Sequence, residues 1–341
     1  MSEAAGVFDV VMVLGLLAVA AVALFHPRRL TAAAMFLVFG VLLAVVWAWL
    51  GAPDVAIAEA VLGAGVTGVL VMNAVTGNPM TAEETDRGRG RVTVRGYMLV
   101  AGILAAAVAV GLIGVLWDLA PATGTGTLVD RNVADSGVSH PVTAVLLNFR
   151  NYDTLLEIAV LAAAAVGALA LRPPGTRMPQ LRHDSGPLGA MVRLVVPVLA
   201  LVLGWLLVAG STRPGGAFQA GALLAGALLM LYLAGIGPTR RLQRWTGPVL
   251  LLGLAVFLAL AAGTAAIGGG WLVLDADWAG PVIVALEAVL MISIGTTLAV
   301  LLMTMDQINS AARGLPGVPA WYSAERSGAG AALQDGENDA R

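Results

Sequence analysis

The sequence predicts an all-α polytopic membrane protein with about nine transmembrane helices. Three observations predict it. First, 59% of the 341 residues are hydrophobic and only 12% are charged, with a mean hydropathy of +0.88. That excludes an ordinary soluble domain. Second, the apolar residues come in runs of about 19–25, the length that crosses ~30 Å of hydrocarbon as a helix. Third, all 19 basic residues are arginine, and they cluster after alternate runs.

The runs read as spans at 7–25, 30–50, 54–76, 96–117, 153–171, 192–210, 218–236, 247–267 and 281–305. The first is not expected to be a signal peptide. Its leader carries Glu3 and Asp9 instead of basic residues, and Pro27-Arg28-Arg29 follow it. Between the fourth and fifth spans, Ser139 to Arg150 are too few to cross. Val142, Val145, Leu146 and Phe149 fall at i, i+3, i+4 and i+7, the apolar stripe of an interfacial amphipathic helix. Pro214-Gly215-Gly216 predict a tight turn between the sixth and seventh spans. No Gly-Lys-Ser/Thr follows, so the turn is not a phosphate loop. The polar stretches 77–95 and 172–191 read as joints, and the chain from about 311 reads as a disordered tail.

Sixteen arginines follow odd-numbered spans, among them Arg28, Arg87, Arg172, Arg240 and Arg313. Only Arg131, Arg150 and Arg213 fall on the other side. The positive-inside rule makes the sixteen-arginine side cytoplasmic, with the N-terminus outside and the C-terminus inside. The amphipathic helix and the Pro-Gly-Gly turn then lie at the outer face.

Several chemistries are excluded. Without cysteine there is no disulfide, thiolate metal site or iron–sulfur ligation. His26, His140 and His183 are scattered outside the spans, so no paired-histidine haem site is expected. No cofactor or metal is expected. A net charge of −2 gives no footprint for nucleic acid. Without lysine, the chain cannot house a lysine-based proton relay, and arginine does not titrate in its place.

Glu59, Glu157 and Glu287 stand inside apolar runs. A carboxylate there marks an ion or proton path, or a polar contact that holds a bundle together. All three lie on spans running from outside to inside, near the outer end. Pro53 and Pro281 each precede a glutamate by six residues. If each proline opens its helix, the carboxylate lies about 9 Å in. Glu157 lies nearer one turn in. Asp153 and Glu157 share a helix face at i, i+4. A shared proton or a bound cation relieves their repulsion, and Asp153 is also a candidate N-cap. Below Glu59, Gly63, Gly65, Thr67 and Gly68 permit close helix packing, and they tolerate a π-type turn beside the acid.

Asn148-Phe149-Arg150-Asn151-Tyr152-Asp153-Thr154-Leu155-Leu156-Glu157 resembles the F-R-x-x-D-T-x-x-E segment of Mrp-type multisubunit cation/proton antiporters, in the C-terminal part of their large, A-type subunit. Pro53-Asp54-Val55-Ala56-Ile57-Ala58-Glu59-Ala60 is similar to the P-D-x-A-x-x-E-A stretch of the preceding module, a relative of the complex I ND6-like subunit. Here the acid follows the version found in membrane-bound hydrogenases; antiporter-type chains often carry it at the position of Gly63. Pro214 to Gly221 resemble the P-G-G-G-F-x-G-G turn of the B-type subunit, although Ser211-Thr212-Arg213 stand where a histidine is usual.

The resemblance implies a fusion of the last modules of the A-type subunit with the B-type subunit. Residues 1–95 form an ND6-like module, 96–191 a two-helix module with the outer amphipathic helix, 192–310 a B-type module, and 311–341 the tail. It further implies a non-enzymatic subunit of a Na⁺ (monovalent cation)/proton antiporter in a bacterial plasma membrane. Glu59, Asp153, Glu157 and Glu287 are the expected pathway carboxylates. The expected partners are other subunits, including separate lysine-bearing antiporter-like chains, and the lipid bilayer. The alternatives are a membrane-arm subunit of a hydrogenase-like or complex I-like redox pump, and a purely structural scaffold.

Overall fold

A computed structural model of the chain describes residues 3–68, 71, 91–117, 125–171, 187–234, 236 and 244–312. Among these residues every regular element is helical. In order they are α1 (Glu3–Phe25), α2 (Arg29–Trp49), α3 (Pro53–Ala58, continuing as a π-helix over Glu59–Thr67), α4 (Arg91–Trp117) and α5 (Thr125–Asn132). A 3₁₀ turn at Val133–Ser136 leads to α6 (Pro141–Ala144, continuing as a π-helix over Val145–Phe149). Then come α7 (Asn151–Ala170), α8 (Pro187–Ala209), α9 (Ala217–Leu233), α10 (Thr246–Ala266) and α11 (Ala276–Ala312).

Each of the nine predicted spans falls on one of these helices. Six are long and apolar enough to cross a membrane: α1, α2, α7, α8, α10 and α11. The apolar parts of α4 and α9 are shorter, at Gly102–Val115 and Ala217–Leu233, and the far end of the third span lies outside the described residues. So does most of the predicted joints at 77–95 and 172–191, and the tail beyond Ala312. The chain is an all-α, multi-pass membrane protein. It divides into two compact units. One holds residues 1–77 and 132–341, the other residues 78–131. The second unit contains α4, whose apolar face is exposed along Ile103, Leu104 and Val108.

In the larger unit, α11 is the central helix. It packs most extensively on α9 and also on α10 and α7. Phe257 and Ala261 of α10, Leu155 and Ile158 of α7, and Ile283, Leu286, Leu290 and Ile294 of α11 form one buried cluster. Ser293 adds a hydrogen bond from α11 to the Leu250 carbonyl of α10 at 3.1 Å. At the other edge α1 pairs with α2, and α2 with α3. Asp9 is satisfied there: its Oδ1 accepts from Trp49 Nε1 at 2.7 Å, and Phe8 lies 4.4 Å from the Trp49 ring. That contact joins the start of α1 to the end of α2, as an antiparallel hairpin requires.

The starts of α3, α7, α9 and α11 meet at one end of this unit. Asn151 at the start of α7 donates to the Leu272 carbonyl just before α11, at 2.7 Å. Gln219 of α9 donates to the Asp54 carbonyl of α3, at 3.3 Å. The helices bearing Glu59, Glu157 and Glu287 therefore run in one direction, as the arginine pattern predicts.

Two local expectations are corrected. Pro281 does not open its helix, because α11 begins at Ala276; Glu287 lies about 16 Å along it. Asp153 is not an N-cap. Arg150 holds that position without a side-chain cap, and Asp153 sits inside the first turn of α7. The stripe of the amphipathic helix turns away from the protein, as the interfacial reading expects: Val142, Leu146 and Phe149 are exposed, while Thr143, Ala144 and Leu147 are buried. That is the orientation of an interfacial helix, with polar contacts inward and apolar side chains turned away.

Candidate functional site

The loop between α8 and α9 gathers the buried ionisable side chains described in the larger unit, Asp54, His140 and Glu287. Pro214 cannot continue α8, and Gly215 and Gly216 take φ of +154° and +109°. At Gly216 a Cβ would stand 2.6 Å from Glu287 Oε1. The backbone amides of the turn are thus open to neighbouring carboxylates, and two take them. Asp54 Oδ1 accepts from Gly215 N–H at 3.0 Å. Glu287 Oε1 accepts from Ala217 N–H at 3.3 Å. Ala217 begins α9, where the unpaired amides favour negative charge.

The segment leading into α6 closes the turn from the other side. The amides of Ser139 and His140 both donate to the Ser211 carbonyl at 3.1 Å. The Thr143 hydroxyl donates to the Gly210 carbonyl at 2.5 Å. His140 Nε2 lies 3.4 Å from Asp54 Oδ2, and its Nδ1 lies 3.3 Å from Thr143 Oγ1. Asp54, His140, Thr143, Gln219 and Glu287 are all buried. Beside them an open cleft of about 850 Å³ is lined by Ser139, Ser211, Thr212, Pro281 and Val284, among others.

Glu287 Oε2 is buried and has no hydrogen-bond partner among the described residues. Leaving a buried polar oxygen unsatisfied costs about 1–3 kcal/mol. A proton, a water or a monovalent cation at this oxygen removes that cost. Among the described residues no group of three or more His, Asp or Glu side chains is placed to hold a metal ion.

The other expected acids lie elsewhere. Glu59 is half-buried on α3, with its carboxyl group folded back over Gly63 one turn on. Asp153 and Glu157 are both exposed on α7. Asp153 accepts an ion-pair contact from Arg150 Nη2 at 2.6 Å. The structure joins Glu287 to Asp54 and His140 through the turn, and leaves Glu59, Asp153 and Glu157 outside that hydrogen-bonded cluster. Sequence reasoning missed Asp54, His140 and Gln219 as site residues. Asp54 and Gln219 stand inside the quoted motifs, which was a usable signal. His140 carried none, since it lies outside every span.

Fold and site together define a polytopic membrane protein with a buried carboxylate site at one end of its bundle. Residues 14–79 match the MbhD family model, described as the D subunit of MBH. Residues 187–306 match the domain related to the MnhB subunit of Na⁺/H⁺ antiporters. Together these matches cover more than half of the chain. The chain is 26% identical over 279 residues to a probable K⁺/H⁺ antiporter A/B subunit of Rhizobium meliloti, covering 70% of this chain and 27% of that protein. It is 28% identical over 147 residues to the A-type subunit of the Na⁺/H⁺ antiporter of Alkalihalophilus pseudofirmus, covering 43% of this chain and 18% of that one. Its fold matches a chain in the structure of the Mrp complex from Dietzia sp. DQ12-45-1b, with a TM-score of 0.67 and 21% identity, over 87% of this chain and 34% of that chain. The chain thus joins an MbhD-type segment to a domain related to the MnhB subunit of Na⁺/H⁺ antiporters, and it is similar to Mrp-type antiporter subunits. It spans about a quarter of the length of the first of these relatives.

Proposed function

We propose that this chain is a membrane subunit of a multisubunit monovalent cation/proton antiporter in a bacterial plasma membrane. Glu287, Glu59, Asp153 and Glu157 supply carboxylate steps of its ion or proton route. The observation that carries this reading is the unpartnered, buried Oε2 of Glu287. One carboxylate that takes a proton or a cation, but not both, couples the two fluxes by competition. The arginine distribution supports an outward-facing position for this site. Lysine-bearing antiporter-like subunits are then separate chains, docked on the exposed apolar faces of this one. By itself the chain exchanges nothing, and it carries out no enzymatic chemistry.

The test uses everted vesicles holding the whole complex, with cation-driven collapse of a pH gradient as the readout. Glu287→Gln is expected to abolish exchange, and Glu59→Gln and Glu157→Gln to depress it, in complexes that assemble normally. Unchanged exchange in all three would leave a scaffold role only. The MbhD-type segment favours a second reading, a membrane component of a redox-driven pump. Iron–sulfur centres co-purifying with the native complex would support that reading over a free antiporter.

A further inference from the structure

We infer that His140 and Asp54 form a protonatable dyad, holding one exchangeable proton between Nε2 and Oδ2, and that it is a second proton station beside Glu287. The inference deepens the antiport reading and rests on it.

Hydrogen counting leads to the dyad. Thr143 has one hydroxyl proton and gives it to the Gly210 carbonyl. Toward His140 its oxygen therefore accepts only, so Nδ1 of His140 carries hydrogen. A neutral imidazole has one N–H, which leaves Nε2 bare and aimed at Asp54 Oδ2, 3.4 Å away. A lone pair facing a carboxylate oxygen in a buried site is repulsive. One proton removes the conflict, on Nε2 as an imidazolium–carboxylate pair or on Oδ2 as a neutral pair. Asp54 Oδ1 is already engaged by Gly215 N–H, so Oδ2 is the oxygen left for that proton.

Access and coupling are both built in. The open cleft reaches Ser139 and Ser211, whose backbones flank His140. Water there delivers a proton to the dyad and takes it back, and no other bond changes. Asp54 grips Gly215 and Glu287 grips Ala217, two residues further along the same turn. The charge on the dyad thereby acts on the carboxylate that competes for cation and proton. The ionisable group in contact with His140 is Asp54 from α3; the same turn also carries the exposed Arg213 and holds Glu287 from α11. From α9 comes Gln219, which is neutral.

Two measurements test this. The chain has three histidines, so a His26→Gln/His183→Gln variant with ring-¹⁵N histidine, assembled with unlabelled partner chains, reports His140 alone. Nδ1 is expected to be protonated throughout. One further exchangeable proton is expected, either on Nε2 by its ¹⁵N shift or on a carboxyl infrared band that Asp54→Asn removes. An Nδ1 without hydrogen, or no such proton, overturns the dyad. In vesicles, His140→Gln keeps an N–H toward Asp54 but takes up no proton. Its exchange is expected to lose the dyad's part of the dependence on outer-side pH, whereas Glu287→Gln loses exchange at every pH. A His140→Gln profile superimposable on the parent reduces His140 to a clamp on the turn and sinks the dyad, with the Glu287 reading intact. Full exchange in Glu287→Gln sinks that reading, and the ¹⁵N result still decides the dyad.

Discussion

At Gly216 a methyl group would stand 2.6 Å from Glu287 Oε1, on a backbone with φ of +109°. Gly216→Ala therefore carries both a strain and a clash. Strain of this kind costs about 1–3 kcal/mol, so the variant complex is expected to melt at lower temperature and to lose exchange. Glu287→Asp withdraws the carboxylate by one methylene. In the double variant it should recover part of the stability, and a double-mutant cycle by thermal melting measures that coupling. Asp153 behaves differently. Its partner Arg150 is exposed, and an exposed pair contributes about 0–1 kcal/mol. Asp153→Asn should leave the melting temperature nearly unmoved, so a loss of exchange in that variant reports transport and not folding. The sequence singled out Glu287 as a lone carboxylate in an apolar run, a path residue or a polar contact within the bundle. The cluster around it was not legible there. Asp54 meets Gly215 across 161 residues and Thr143 meets Gly210 across 67, and no local pattern encodes such meetings.

The small residues of α3 show how an element trades packing against regularity. Below Glu59 the helix widens to π geometry through Thr67, and the Glu59 carboxyl group lies over the bare α-carbon of Gly63. At Gly68 a Cβ would run into the Leu37 side chain of α2. The composition predicted close packing and a wide turn as options, and α3 has both. Overpacking such a contact costs about 1–3 kcal/mol. Gly68→Ala is expected to destabilise the α2–α3 pair, and Leu37→Ala in the same chain to relieve it. Protease resistance of the purified complex reads both. The spans were legible because a run of about 20 apolar residues has one economical fold in lipid. Helix ends were less so: a proline that suits a first turn also stands inside α11, where the Asp277 carbonyl loses its helical donor. The stripe in α6 was legible as that of an interfacial helix. What the polar face meets was not: Thr143 and His140 find partners in a turn some seventy residues away.

On the scale of the whole molecule, the alignment of helix starts makes orientation decisive for function. Asp54, His140, Glu287 and the turn all lie at one end of the larger unit. Whichever compartment that end faces is the one whose protons reach the dyad through the cleft. The arginine count predicts that it faces outside. At that end α7 also exposes Glu157 beside Leu156 and Val160. A carboxylate within a span is costly against lipid, so this face calls for a protein neighbour or water. The chain contains no cysteine, so single introduced thiols report sidedness without background. Ser139 borders the cleft and Arg244 precedes α10 at the other end, and both are exposed. In intact cells Ser139→Cys is expected to react with a membrane-impermeant maleimide, and Arg244→Cys only after permeabilisation. The opposite pattern would put Glu287 and the dyad in contact with the cytoplasm. The site would then load its protons from inside, and the direction of exchange drawn from the arginines would have to be reversed.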